Sequence, residues 1–167
     1  ATFLTAEKLS MDGISSLVAK APDEASAVFM ATQALDESRH FEVFSRRMAD
    51  FGVSPEQRNA LMQRVTTPQM ARFYDLIREQ VDKGDYIAAM IAHNIVLEGM
   101  AFSVFEMMYA MNEEMNPKFA HTLSGTIADE RRHVGFGENR IGSLIAQHPE
   151  KKAEIERMQQ EMSYYML

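Results

Sequence analysis

Apolar residues return every three or four positions along most of this chain, and no stretch alternates as a half-buried strand would. That period belongs to helices that bury one stripe. The breaks between periodic segments carry helix punctuation. Pro22 reads as a first-turn proline, and Phe51-Gly52 as the stop of the helix that it opens. Ser54-Pro55 and Thr67-Pro68 each read as a cap followed by a first turn. Gly84-Asp85 closes one segment and caps the next, Asn116-Pro117 starts a long helix, and His148-Pro149 breaks it. The pattern predicts helices at about 3–20, 22–51, 55–65, 68–83, 86–112, 117–147 and 149–166. The fold class is all-α. A length of 167 residues suits a single domain, residues 1–167, around one core. Because Ala1-Thr2-Phe3-Leu4 opens inside an apolar pattern, the natural protein is expected to extend further at its N-terminus.

Polar residues interrupt the apolar stripes at telling places. On the first helix Phe3, Glu7, Met11, Ile14 and Val18 share a face, so Glu7 sits among apolar neighbours. The segment from Ile87 to Tyr109 is apolar nearly all round, with Glu98 in its middle. A lone glutamate there would cost several kcal/mol to bury unpaired, so it needs a strong partner, either an arginine or a cation. Two other helices carry one five-residue word twice, Asp36-Glu37-Ser38-Arg39-His40 and Asp129-Glu130-Arg131-Arg132-His133. Residues three apart on a helix face one way. Glu37 therefore points with His40, and Glu130 with His133.

Hairpin arithmetic joins these residues. The midpoint of Glu7 and Glu37 is residue 22, in the first predicted turn; that of Glu98 and Glu130 is residue 114, in the Asn112–Asn116 turn. Residues equidistant from a tight turn lie level, here roughly 22–24 Å along the helix axis. Each hairpin thus sets one glutamate beside a Glu-x-x-His pair. The short helices between residues 53 and 84 are long enough to cross from one hairpin to the other, giving a four-helix bundle of ferritin-like order. Glu7, Glu37, His40, Glu98, Glu130 and His133 are then six candidate metal ligands. Four carboxylates balance two divalent cations, and oxygen-rich sites with one imidazole per ion suit iron or manganese. Asp36 and Asp129 are candidates to hold the second N–H of the histidines, each serving the other motif, with Arg39 and Arg132 neutralising them.

Composition narrows the classes further. A net charge of −7 argues against nucleic acid as partner. The absence of cysteine excludes disulfides, iron–sulfur clusters and thiolate zinc sites, and suits a cytoplasmic protein. No run approaches the roughly 18 uninterrupted apolar residues of a membrane span. Most of the fourteen methionines read as packing filler.

The paired words resemble those of the dinuclear-carboxylate oxygenases and oxidases: bacterial multicomponent monooxygenase hydroxylases, ribonucleotide reductase small subunits and the related ligand-binding oxidases. His133-Val134-Gly135-Phe136-Gly137 and Glu98-Gly99 are similar to the reductase-like branch. The resemblance spans about residues 3–147 and implies two iron ions, or one manganese and one iron. It further implies O2 and a small or apolar organic substrate, an electron-donor reductase, a homodimer, and catalytic roles for Glu37, Glu98 and Glu130. Two departures count against special functions of that branch. Phe44 stands where radical-forming subunits carry tyrosine, and His93 where the ligand-binding oxidases carry a cross-linking tyrosine. The alternatives are a ferritin-like metal-oxidising or storage protein without an organic substrate, or a metal-bearing scaffold whose partner supplies the chemistry.

Other residues admit two readings each. Phe44, Phe102 and Phe105 follow ligands by one or two turns and could line a substrate pocket, or simply pack the core. His93 could join that pocket, ligate, or support a ligand. Five α-helical positions before Glu98 is about 500° of rotation, some 140° off its face, which favours a core histidine against a neighbouring helix. His121 and His148 are expected to face solvent. Gly99, Gly125, Gly135 and Gly137 imply either close helix approach or room beside the ions.

Overall fold

A computed structural model describes residues 1–166, and among them there is no strand. The helices are α1 (Thr2–Val18), α2 (Glu24–Asp50), α3 (Pro55–Val65), α4 (Pro68–Lys83), α5 (Tyr86–Asn112), α6 (Pro117–Gln147) and α7 (Lys152–Tyr164). The all-α expectation holds, and five of the predicted starts fall within a residue of those observed. Helix α2 differs. Asp23 caps it by accepting the Ser26 N–H at 2.7 Å, so Pro22 lies in the link before the helix rather than in its first turn. The last predicted helix also divides, into a single 3-10 turn at Pro149–Lys151 followed by α7. Ser54 and Thr67 cap α3 and α4 as read, and Ser54 with Gln57 forms a reciprocal capping box. Gly84 ends α4 at φ 75°, a left-handed conformation that other residues adopt only with strain.

The chain divides into two compact units, Ala1–Tyr86 and the part from Ile87 onward. In the first unit α1 runs along α2, with Leu4, Ile14, Leu17 and Met30 buried. Helices α3 and α4 pack on α1, and α4 buries Phe73, Tyr74, Ile77 and Val81 at helical spacing. In the second unit α5 pairs with α6, burying Leu97, Phe105 and Leu123.

Helix α5 is not uniform. Ile91–Leu97 is π-helical, between α-helical Tyr86–Met90 and Glu98–Asn112. Helix α7 packs on this π segment. So does α6: a Cβ added at Gly137 would lie 2.8 Å from Asn94 Cβ and 3.0 Å from Ile95 Cδ1, so only glycine permits this approach. Gly99, Gly125 and Gly135 have nothing within 4 Å of such an atom, so close approach explains Gly137 alone. By length and composition Tyr86–Asn112 would suffice to cross a membrane, yet just over half of its most apolar stretch is buried inside the protein, as in a core helix.

Candidate metal centre

Each helical hairpin brings two glutamates and one histidine to one level. In the first unit Glu7 comes from α1, Glu37 and His40 from α2, and all three are buried. His40 Nδ1 lies 3.5 Å from Glu7 Oε2 and 3.9 Å from Glu37 Oε2. In the second unit Glu98 comes from α5, Glu130 and His133 from α6, again all buried. His133 Nδ1 lies 3.3 Å from Glu130 Oε2 and 3.5 Å from Glu98 Oε2. The level placement predicted from the turns is therefore present within each hairpin. Glu7, near the start of the chain, is no exception: it is only 4% exposed and faces His40.

The donor sets suit a cation. Within each triad one donor atom per residue lies within 4.8 Å of the others. Opposite ligands on one ion, with bonds of about 2.0–2.2 Å, stand up to about 4.4 Å apart, so small side-chain adjustments close either triad on an ion. Two carboxylates buried together repel each other unless a cation or a proton intervenes. One divalent ion neutralises the two carboxylates of one triad. Both histidines direct Nδ1 at the carboxylates, the nitrogen that each would offer.

Burial alone would push the Glu98 carboxyl up. Its hydrogen bond with Glu130 and the neighbouring His93 and His133 imidazoles outweigh that and hold it well below the usual carboxylate value of 4.5. For His133 burial acts downward, but Glu130 and Glu98 prevail and raise its pKa above the ordinary 6.5. In the metal-free triad the ionised Glu98 carboxylate is thus set against a histidine that favours its proton, and an incoming cation would take that proton's place.

The flanking charges divide. Asp36 is buried and pairs with Arg39 one turn on. Asp129 is half-buried and Arg132 exposed, with Arg132 Nη2 3.5 Å from His133 Nε2. Phe44 is buried and stacked on Phe3, ring centroids 5.6 Å apart. Phe105 is buried, while Phe102 is half-buried beneath the Arg131 guanidinium. His121 and His148 are exposed, as expected. A groove of about 340 Å³ in the first unit, lined by Leu9, Tyr74, Ile77 and Arg78 among others, includes none of these site residues.

One feature lay outside the sequence reading, and a second departs from the orientation it favoured. Asn94, buried, donates from Nδ2 to the His133 carbonyl at 3.1 Å, tying the π segment to the turn of α6 that carries Glu130 and His133. An amide amid an apolar run was the available signal, since buried amides need partners. The second is His93. It does not turn away from Glu98 as an α-helix would require: its Nδ1 lies 3.0 Å from Glu98 Oε1. The π geometry is the cause, because the Glu98 N–H bonds to the His93 carbonyl, five residues back. No protein-family model matches this chain, and no curated protein matches it with significance.

Proposed function

We propose that this chain is an O2-activating oxidoreductase that uses two metal ions, two irons or one manganese and one iron, to oxygenate or oxidise an organic substrate. One observation carries the reading: each of two hairpins buries two glutamates and one histidine with their donor atoms converging. The helix order, two ligand hairpins separated by the α3–α4 segment, supports a ferritin-like bundle with one long crossover. Six ligands from four helices, in a Glu, Glu-x-x-His, Glu, Glu-x-x-His order, match the ligand pattern of dinuclear-carboxylate bundles.

When bound, a redox-active pair of ions supplies electrons to O2, chemistry that no side chain here performs alone. The protein's own contributions follow from its residues. Glu7, Glu37, Glu98 and Glu130 offset the charge of the ions, and as flexible carboxylates they accommodate a change in that charge. His40 and His133 anchor through Nδ1. Arg39 holds Asp36 in place within the first motif. Burial of both triads keeps bulk water from the ligands, which strengthens every charge interaction there. The oxygenase reading further entails a small or apolar substrate and an external electron donor.

Metal analysis of the chain refolded or expressed with iron and manganese under reducing conditions, followed by anaerobic addition of O2, tests this reading. The expected result is about two ions per chain and rapid O2 uptake with a change in the visible spectrum. A single zinc ion, or a folded chain that takes up no metal, would overturn it. Iron loading far beyond two per chain would instead identify a storage protein.

A further inference from the structure

The mechanism above uses one imidazole per triad, but the second unit buries two beside Glu98. His93 is fully buried, and neither ring nitrogen makes a hydrogen bond of good geometry among the described residues. A buried imidazole in that condition is costly, and native proteins rarely leave one so. Its Nδ1 nevertheless lies 3.0 Å from Glu98 Oε1. Two donor atoms bound at a right angle to one ion, with bonds of about 2.0–2.2 Å, stand about 3 Å apart. A close contact at that distance, without the alignment of a hydrogen bond, is what a pair of neighbouring ligands looks like. His133 meanwhile addresses the other oxygen, Oε2, at 3.5 Å. The Glu98 carboxylate therefore lies between two imidazoles, one at each oxygen.

Backbone geometry supports the same role. In an α-helix residues five apart point in different directions, whereas i→i+5 bonding brings them to one face, and π segments gather at functional sites. Helix α6 holds this segment at two successive turns, by Asn94 bonding to the His133 carbonyl and by the close contact at Gly137, and α7 packs on it as well. The protein thus maintains a less common helix form, and its local effect is to aim His93 at Glu98.

We propose that His93 is a third histidine ligand, binding an ion through Nδ1 together with Glu98 Oε1. The proposal rests on the metal-binding reading and extends it to the choice of metal. An added imidazole shifts a carboxylate-rich site away from manganese and toward iron, because imidazole suits iron whereas all-oxygen sites suit manganese.

The test uses the full chain labelled with nitrogen-15 and titrated with zinc ion alone, reading the ring nitrogens of all five histidines by long-range proton–nitrogen correlation. The expected result is that Nδ1 of His40, His93 and His133 each takes the shift of a metal-bound nitrogen, with the ring proton left on Nε2. Exposed His121 and His148 should not respond. If His40 and His133 respond while His93 keeps a proton on Nδ1, it only donates to Glu98; the inference fails and the metal reading stands. If neither His40 nor His133 responds, both fall. As a second measurement, His93→Gln should weaken ferrous-ion binding 10–100-fold or more and manganous-ion binding by less. Equal affinities for both ions before and after the change would overturn the proposal.

Discussion

Asn94 of the π segment donates its side-chain N–H to the backbone carbonyl of His133, 3.1 Å away, across the α5–α6 packing. This one buried bond couples the element that carries His93 and Glu98 to the turn that carries Glu130 and His133. Asn94→Ala removes the donor and leaves a small void. We expect a loss of about 1–3 kcal/mol of folding stability, measured by chemical denaturation. If these residues bind a metal, its affinity should fall as well, since the two helices that carry the candidate ligands lose a fixed point of contact. An unchanged midpoint would mean that the bond adds nothing to the fold.

Gly137 and Gly125 lie on the same helix and should respond in opposite ways to alanine. An alanine Cβ at 137 would meet Asn94 Cβ at 2.8 Å, whereas at 125 nothing lies within 4 Å. Helix propensity alone favours alanine over glycine by about 1 kcal/mol at either site. Gly125→Ala should therefore stabilise by up to about that amount, while overpacking at 137 should reverse the sign and cost about 1–3 kcal/mol. Thermal melts of the two variants check this directly.

The helices that carry the candidate ligands were legible because buried carboxylates and imidazoles leave polar residues on apolar faces. Glu7 and Glu98 stood out as carboxylates on apolar faces, and equal distance from the two turns set each beside its Glu-x-x-His pair. Caps at Ser54, Thr67 and Asn116 gave helix starts because each carries its own hydrogen-bond acceptor. Pro22 misled because proline suits the link before a cap as well as the first turn, and Asp23 makes the better cap. The π segment was not readable at all. Its residues are the same apolar types that fill an α-helix, so a wheel drawn at 100° per residue turned His93 away from Glu98. What fixes the wider turns is tertiary: α7 packing on the segment, the Asn94 bond and the Gly137 contact.

The buried aspartate of the first motif offers a third test. Asp36 is paired with Arg39, next to a helix turn that carries Glu37 and His40. Asp36→Asn keeps the shape and removes the charge, so the helix content should persist in circular dichroism. If Asp36 orients a ligand, metal affinity should drop 10–100-fold. A change in metal affinity within about 0.5 kcal/mol would show that Asp36 orients no ligand.

Acidity should act on the second triad through His133. In the metal-free protein its raised pKa means that the protonated ring contributes stability below the unfolded value of 6.5, and that this is lost as pH rises through the folded value. Glu98, depressed, contributes stability above 4.5 that is lost as pH falls through its lower folded value. The metal-free fold is thus most favoured between these limits. An incoming ion must displace the His133 proton, so metal affinity should fall on acidification from above the raised value, by about tenfold per pH unit for one proton. Binding isotherms across neutral pH would show the slope, and a pH-independent affinity would contradict it.

The π segment also bears on how this helix tolerates changes in length. Each i→i+5 turn encloses one residue more than an α-turn. The widened stretch therefore absorbs a supernumerary residue while Tyr86–Met90 and Glu98–Asn112 keep the angular phase of one uninterrupted helix. Deleting a single residue such as Ala92 would let the ordinary ladder close again without turning either flank away from its neighbours. The helix would survive the deletion, and the alignment of His93 with Glu98 would not.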